Sequence, residues 1–373
     1  MMNTMGFRTG AWAAALLFLL GGVATAAQPK MVNAKVEQRS AAGGLGAALR
    51  TLAAAQASPA WIAYAVPALG GEREMCCGSS WDGDRSAGWC GECRLEGDNG
   101  INIQSKGSGK PEADLEPSPN LLVFLRVENR AVEKVRVFSE DCQINAGGRT
   151  VYWLTDVRPA ESVAVLTSLA TGSAGGFVTA ADPEHVSDGA VLAVALHADP
   201  AALGALNTFV APGQPAKLRE RAAFWLGSAR GREGYEVLRR LARADRDDGF
   251  REKLMFDLSV SREPEAVDAL IESGRNDSSA RVRGQALFWL AQKAGKKAAA
   301  AITDAIENDP ETEVKKRAVF ALSQLPKDQG VPLLIQTARS NSNRAVRKQA
   351  MFWLGQSNDP SALSFFEQIL TQK

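Results

Sequence analysis

Five phenylalanines, Phe224, Phe256, Phe288, Phe320 and Phe352, recur along the second half of the chain at one constant interval. A step this regular constrains the fold more than any other feature of the chain. Other columns keep the same step. Five positions before each Phe is a base: Arg219, Arg251, Arg283, Lys315 and Arg347. Two positions after each is Leu226, Leu258, Leu290, Leu322 or Leu354, and further on come Leu238, Leu270, Ile302, Leu334 and Phe366. Asp245, Asp277, Asp309 and Asn341 recur as residues able to cap a helix. Fixed-pitch self-similarity of this kind is the signature of a repeat architecture.

Each unit holds two helical patterns, such as RVRGQALFWLAQK followed by KKAAAAITDAIEND. A weaker sixth unit precedes them, with Leu192, Ala202 and Leu206 in register. Neither helix of a unit can bury its apolar face alone, so the units are expected to stack over a continuous core. The predicted array runs over residues 186–373. The first helix of each unit resembles that of HEAT repeats, in particular the short class found in phycobiliprotein lyases, which reads roughly Val-Arg-x-x-Ala-x-x-Ala-Leu-Gly. Val346, Arg347, Ala350, Leu354 and Gly355 match it, as do Val282, Arg283, Ala286 and Leu290. The resemblance implies an α-solenoid. It leaves scaffold, lyase and regulator open as functions, because function lives in sites grafted on folds.

The departures from that pattern carry the functional question. Where the class has a small residue before Leu, this chain has Trp225, Trp289 and Trp353, alternating with Asp257 and Ala321. At 100° per residue, Val346, Ala350, Trp353 and Leu354 share one side of the helix, which places Trp353 in the core. Phe352 then lies on nearly the opposite side. Either neighbouring units bury the Phe column between them, or Phe224, Phe256, Phe288, Phe320 and Phe352 form an outer ridge onto which a protein docks. The basic column is expected to pair with the Asp and Asn residues at unit junctions rather than to bind an acidic partner.

Residues 1–27 read as an export signal, with Arg8 before the apolar run AWAAALLFLLGGVA and small residues at Ala24-Thr25-Ala26 or Thr25-Ala26-Ala27. The run is short for a membrane span. No Cys follows the cleavage region, so no lipid anchor is expected, and no stable membrane span after cleavage. A periplasmic or secreted location follows. Residues 28–175 are expected to form a small, mostly antiparallel β-rich domain with one helix across it, giving an α+β chain overall. WIAYAVPAL, NLLVFLRVEN, AVEKVRVFSE and TVYWLTDV read as strands, with a tight hairpin at Asn129-Arg130. Gly44 to Ala57 and Glu161 to Ala170 read as helices.

Charge supports this division. The chain has 43 Lys plus Arg against 42 Asp plus Glu, but from Lys217 onward the balance is 27 against 21. The surplus is too mild and too mixed in sign for a nucleic-acid surface.

The cysteines are Cys76, Cys77, Cys90, Cys93 and Cys142. In an oxidising compartment, Cys76 or Cys77 would pair with Cys90 or Cys93. Alternatively, Cys76, Cys77, Cys90 and Cys93 could hold zinc, with Cys142 as a substitute ligand. Trp89-Cys90-Gly91-Glu92-Cys93 also resembles the Trp-Cys-Gly-x-Cys of thioredoxin-like oxidoreductases, which would make Cys90 a nucleophile at a helix start and the protein a thiol–disulfide redox protein. The sequence has only two histidines, and His197 is expected at the surface near a helix C-terminus. No other catalytic motif is present, so a protein-binding role without a cofactor is the expectation, with the redox and lyase readings as alternatives.

Overall fold

The computed structural model describes residues 28–70, 92–96, 119–140, 142–172 and 183–371. Eight strands come first: β1 (Met31–Val32), β2 (Lys35–Ser40), β3 (Ala60–Pro67), β4 (Glu92–Arg94), β5 (Asn120–Glu128), β6 (Ala131–Ser139), β7 (Gln143–Asn145) and β8 (Thr150–Thr155). Helix α1 (Leu45–Ala55) and helix α2 (Pro159–Thr171) accompany them. The main sheet has the order β2-β8-β3-β5-β6, and a smaller one the order β1-β7-β4. The fold is α+β, but the sheet is mixed where mostly antiparallel pairing was expected. Strand β8 runs parallel to both β2 and β3, while β3, β5 and β6 form an antiparallel run. Parallel neighbours need long crossovers, and here the chain between β3 and β8 supplies one.

Local chemistry explains the elements. Asn129 and Arg130 have φ of 50° and 63°, the double left-handed geometry of a two-residue type I′ turn whose twist matches that of the flanking strands. Alternation along β3 serves two cores. Ile62, Tyr64 and Val66 join the main core. Trp61 and Ala63 face a second core with Phe124, Phe138, Ile144, Cys93 and Cys142.

The array follows as six helix pairs: α3 (Pro183–Leu196) with α4 (Ala201–Phe209), α5 (Ala216–Ala229) with α6 (Gly231–Ala244), α7 (Asp248–Val260) with α8 (Ala266–Asn276), α9 (Ala280–Asn308), α10 (Thr312–Ser323) with α11 (Lys327–Ser340), and α12 (Arg344–Gln356) with α13 (Pro360–Thr371). Helix α9 is two helices divided at Gly295, whose φ is 48°. Small residues recur where the two helices of a unit cross. A Cβ on Gly234 would sit 2.0 Å from the Leu226 carbonyl, and one on Gly330 would sit 2.4 Å from that of Leu322. Ala266, Ala298 and Ala362 fill the same column, so close helix approach is built into every unit.

One continuous core runs from Ala41 in the sheet region to Phe365 in α13. The junction is tight. Leu69 N–H donates to the Leu196 carbonyl and Ala198 N–H to that of Pro67, each at 2.9 Å, which stitches the end of β3 to the end of α3. A Cβ on Gly189 in α3 would lie 2.1 Å from the Val135 carbonyl of β6. Gly189→Ala is therefore expected to lower stability by about 1–3 kcal/mol through overpacking. Gly204→Ala on α4, exposed and with nothing within 4 Å, should instead raise stability by up to about 1 kcal/mol, because Ala is the better helix former. Thermal melting of the two variants checks the contrast.

Candidate functional site

The first helices of the units place the Phe and Trp columns side by side. Phe224 stacks on Phe256 with ring centroids 6.1 Å apart and planes 12° from parallel. Phe288 stacks on Phe320 at 5.7 Å and 8°. Tryptophans link these pairs. Trp289 lies 4.8 Å from Phe256 and 4.9 Å from Phe288, and Trp353 lies 4.8 Å from Phe320 and 5.0 Å from Phe352. Trp225 meets Phe224 edge-on at 5.0 Å. Five Phe and three Trp rings thus make one unbroken ribbon across five units.

Asp257 and Ala321 are buried, and the Trp of the following unit leans back over the Phe beside each of them. The chemistry of Asp257 is unusual, because burial pushes its carboxyl well above the ordinary range, and Glu220 adds to the effect.

The ribbon lies between the two outcomes considered for the Phe column. Phe224, Phe256, Phe288 and Phe320 are half-buried, each against two neighbouring rings, while Phe352 is 54% exposed. Trp353 packs against the core, as the helical period implies, and also touches Phe320 and Phe352. Val346, Ala350 and Leu354 are buried, and Trp353 is partly buried, with its indole Nε1 shut off from solvent. Aromatic pairs of this geometry contribute about 0.5–1.5 kcal/mol each beyond area burial, so the ribbon also welds unit to unit.

The basic column is absorbed by the architecture. Arg251 binds both carboxylate oxygens of Asp277 at 2.8 Å and reaches the Asp245 carbonyl at 2.7 Å. Arg283 repeats this with Asp309, at 2.7 and 3.0 Å, and the Asp277 carbonyl at 2.9 Å. Arg219 pairs with Asp245. The aspartates are not N-caps of the next helix. They close Asx turns two positions earlier, with Asp277 accepting from Ser279 N–H and Asp309 from Glu311 N–H, both at 2.8 Å. Lys315 and Asn341 occupy the equivalent positions one unit on, where Lys315 turns to the Glu307 carbonyl at 2.7 Å instead.

Cys76, Cys77 and Cys90 lie outside the described residues, as does the proposed signal segment 1–27. Cys93 is buried in β4. Cys93 thus stands on a strand, where a thioredoxin-like motif carries its second cysteine on a helix. Among the described residues no group of three or more Cys, His, Asp or Glu is placed to hold a metal, and no helix is long and apolar enough to cross a membrane. His197 is fully buried rather than at the surface. Its burial depends on the β3–α3 junction, which no local pattern announces.

The family model for HEAT repeats matches residues 299–373, and the C-terminal part of the chain is a HEAT-repeat array. No curated protein matches the chain. Among solved structures, the complex of CpcE and CpcF of phycocyanin lyase from Nostoc is similar at 25% identity and a TM-score of 0.32, over 42% of this chain and 99% of that one. Human deoxyhypusine hydroxylase in complex with glycerol is similar at 14% identity and a TM-score of 0.30, over 57% and 80%. The Escherichia coli protein YibA is similar at 24% identity and a TM-score of 0.30, over 45% and 64%.

Proposed function

We propose that this protein is a non-enzymatic binding scaffold or adaptor of the bacterial envelope, periplasmic or secreted, that grips a protein partner along the aromatic ribbon. The observation that carries the reading is the ribbon itself. Its rings cover one another in part and remain partly exposed, and Phe352 is the largest exposed aromatic among the described residues. A contiguous apolar strip of this kind on a folded protein marks an interaction surface, and rigid aromatic anchors dominate binding energy at interfaces. The export reading of residues 1–27 supports the location, and an oxidising compartment would suit disulfides among Cys76, Cys77, Cys90 and Cys93.

The test compares the full-length protein with a variant carrying Phe288→Ser and Phe320→Ser, both first shown to retain native helicity. Quantitative cross-linking and recovery from envelope extract should give one or more partners with the parent protein, depleted at least tenfold with the variant. Equal recovery by both would exclude the ribbon as the contact surface.

A further inference from the structure

Two first-helix ends of the array, two repeats apart, hold a cation supplied by the next unit, and a third in the same series does not. At the end of α3, the carbonyls of Ala195 and His197 accept hydrogen bonds from the buried Arg230, at 3.5 and 2.9 Å. At the end of α7, two repeats on, the carbonyls of Ser259 and Ser261 accept from the half-buried Lys293 Nζ, at 2.8 and 2.6 Å. Lys293 is displaced by a single position from the register of Arg230, yet both reach the equivalent pair of carbonyls. The physical reason is common to both. The last carbonyls of a helix lack intrahelical donors and carry the negative end of the helix dipole, so a cation from the next unit satisfies them.

The third place is the end of α10, where Ser323 and Leu325 stand in the same register. The residue two repeats after Lys293 is Ser357. It is too short to reach across, and its hydroxyl donates instead to the Leu354 carbonyl at 2.7 Å. Beside these groups is a cavity of about 220 Å³, lined among others by Ser323, Leu325, Lys327, Trp353, Gln356 and Ser357. Trp353 also lines this cavity, and its buried Nε1–H has no acceptor among the described residues.

We propose that this cavity is a receptor site for a primary ammonium group supplied from outside the array, either a lysine side chain of a bound protein or a free alkylamine. The ammonium takes the position that Lys293 fills two units earlier and donates to the carbonyls at the end of α10. The site is separate from the outer edge of the ribbon, and the inference stands whether or not a partner binds there. Lys327 is the one basic side chain in the lining. It is exposed, and its charge weakens the attraction for an incoming cation without occupying the carbonyls.

Calorimetric titration of the full-length protein tests this with three probes: Nα-acetyl-lysine methylamide, its Nε-acetylated neutral form, and n-butylamine. Saturable binding of the lysine probe or butylamine, with the neutral form at least tenfold weaker, is the expected result, and the better of the two charged probes identifies the source. Ser357→Lys should abolish that binding and raise the melting temperature by tethering an ammonium in the cavity. Lys327→Ala should tighten binding several-fold, and it decides the matter even where Ser357→Lys does not fold. The proposal is overturned by equal binding of the neutral probe, by binding that survives Ser357→Lys, or by silence of both the parent protein and Lys327→Ala. Binding that appears only in Lys327→Ala would also overturn it, because Lys327 would then be the site's own occupant.

Discussion

Arg283→Ala is expected to destabilise the array by about 3–5 kcal/mol, because it strands a buried carboxylate. The Arg283 and Asp309 side chains are only 9% and 4% exposed. Removing the guanidinium deletes both bonds to Asp309 and the one to the Asp277 carbonyl, which ties one unit to the one before. Asp309 keeps the Glu311 N–H, but one backbone donor does not replace a bidentate cation in a low-dielectric site. Two comparisons make the result specific. Arg275→Ala removes a pair that is 51% and 41% exposed and should cost under about 1 kcal/mol. Adding Asp309→Asn to Arg283→Ala should recover part of the loss, since a neutral amide needs no counter-charge. Urea unfolding followed by circular dichroism measures all three. A loss for Arg283→Ala no larger than that for Arg275→Ala would show that the ladder does not set the register between units.

The array was legible because every unit repeats the same decision. Leu226 and its four equivalents are buried, and the constant spacing from Arg219 to Asp245, Arg251 to Asp277 and Arg283 to Asp309 resolves into direct ion pairs. Local rules also placed the four principal strands and the Asn129-Arg130 turn. Long-range pairing was not legible. Nothing in the composition of Lys35–Ser40 says that it lies parallel to Thr150–Thr155, because alternation marks a strand but does not choose its neighbour. The aromatic columns were half readable. Helical periodicity assigned Phe352 to the outside and Trp353 to the inner side, but a wheel does not register that a long ring also reaches back to the preceding unit's Phe320.

The buried histidine gives the second large effect, as a loss of stability on acidification. His197 Nδ1 accepts the Asp199 N–H at 3.2 Å, so Nε2 carries the proton of the neutral ring, and it finds no partner among the described residues. Burial is the main reason that its pKa falls to about 4. The nearby Asp199 works against the shift and Arg230 adds to it. Arg230 is itself fixed against the His197 carbonyl at 2.9 Å, so protonation would set two cations beside each other at the sheet–array junction. The unfolded chain takes up this proton near pH 6.5, whereas the folded chain resists it until about pH 4. Stability from the neutral ring is therefore complete above pH 6.5 and declines as pH falls towards 4, by about 3 kcal/mol in total. His197→Asn retains an acceptor for the Asp199 N–H without a titrating ring, so its stability should change about 3 kcal/mol less across the same window. Parallel pH slopes for the two proteins between 6.5 and 4 would mean that His197 is protonated in the folded state, and that the junction opens to water there.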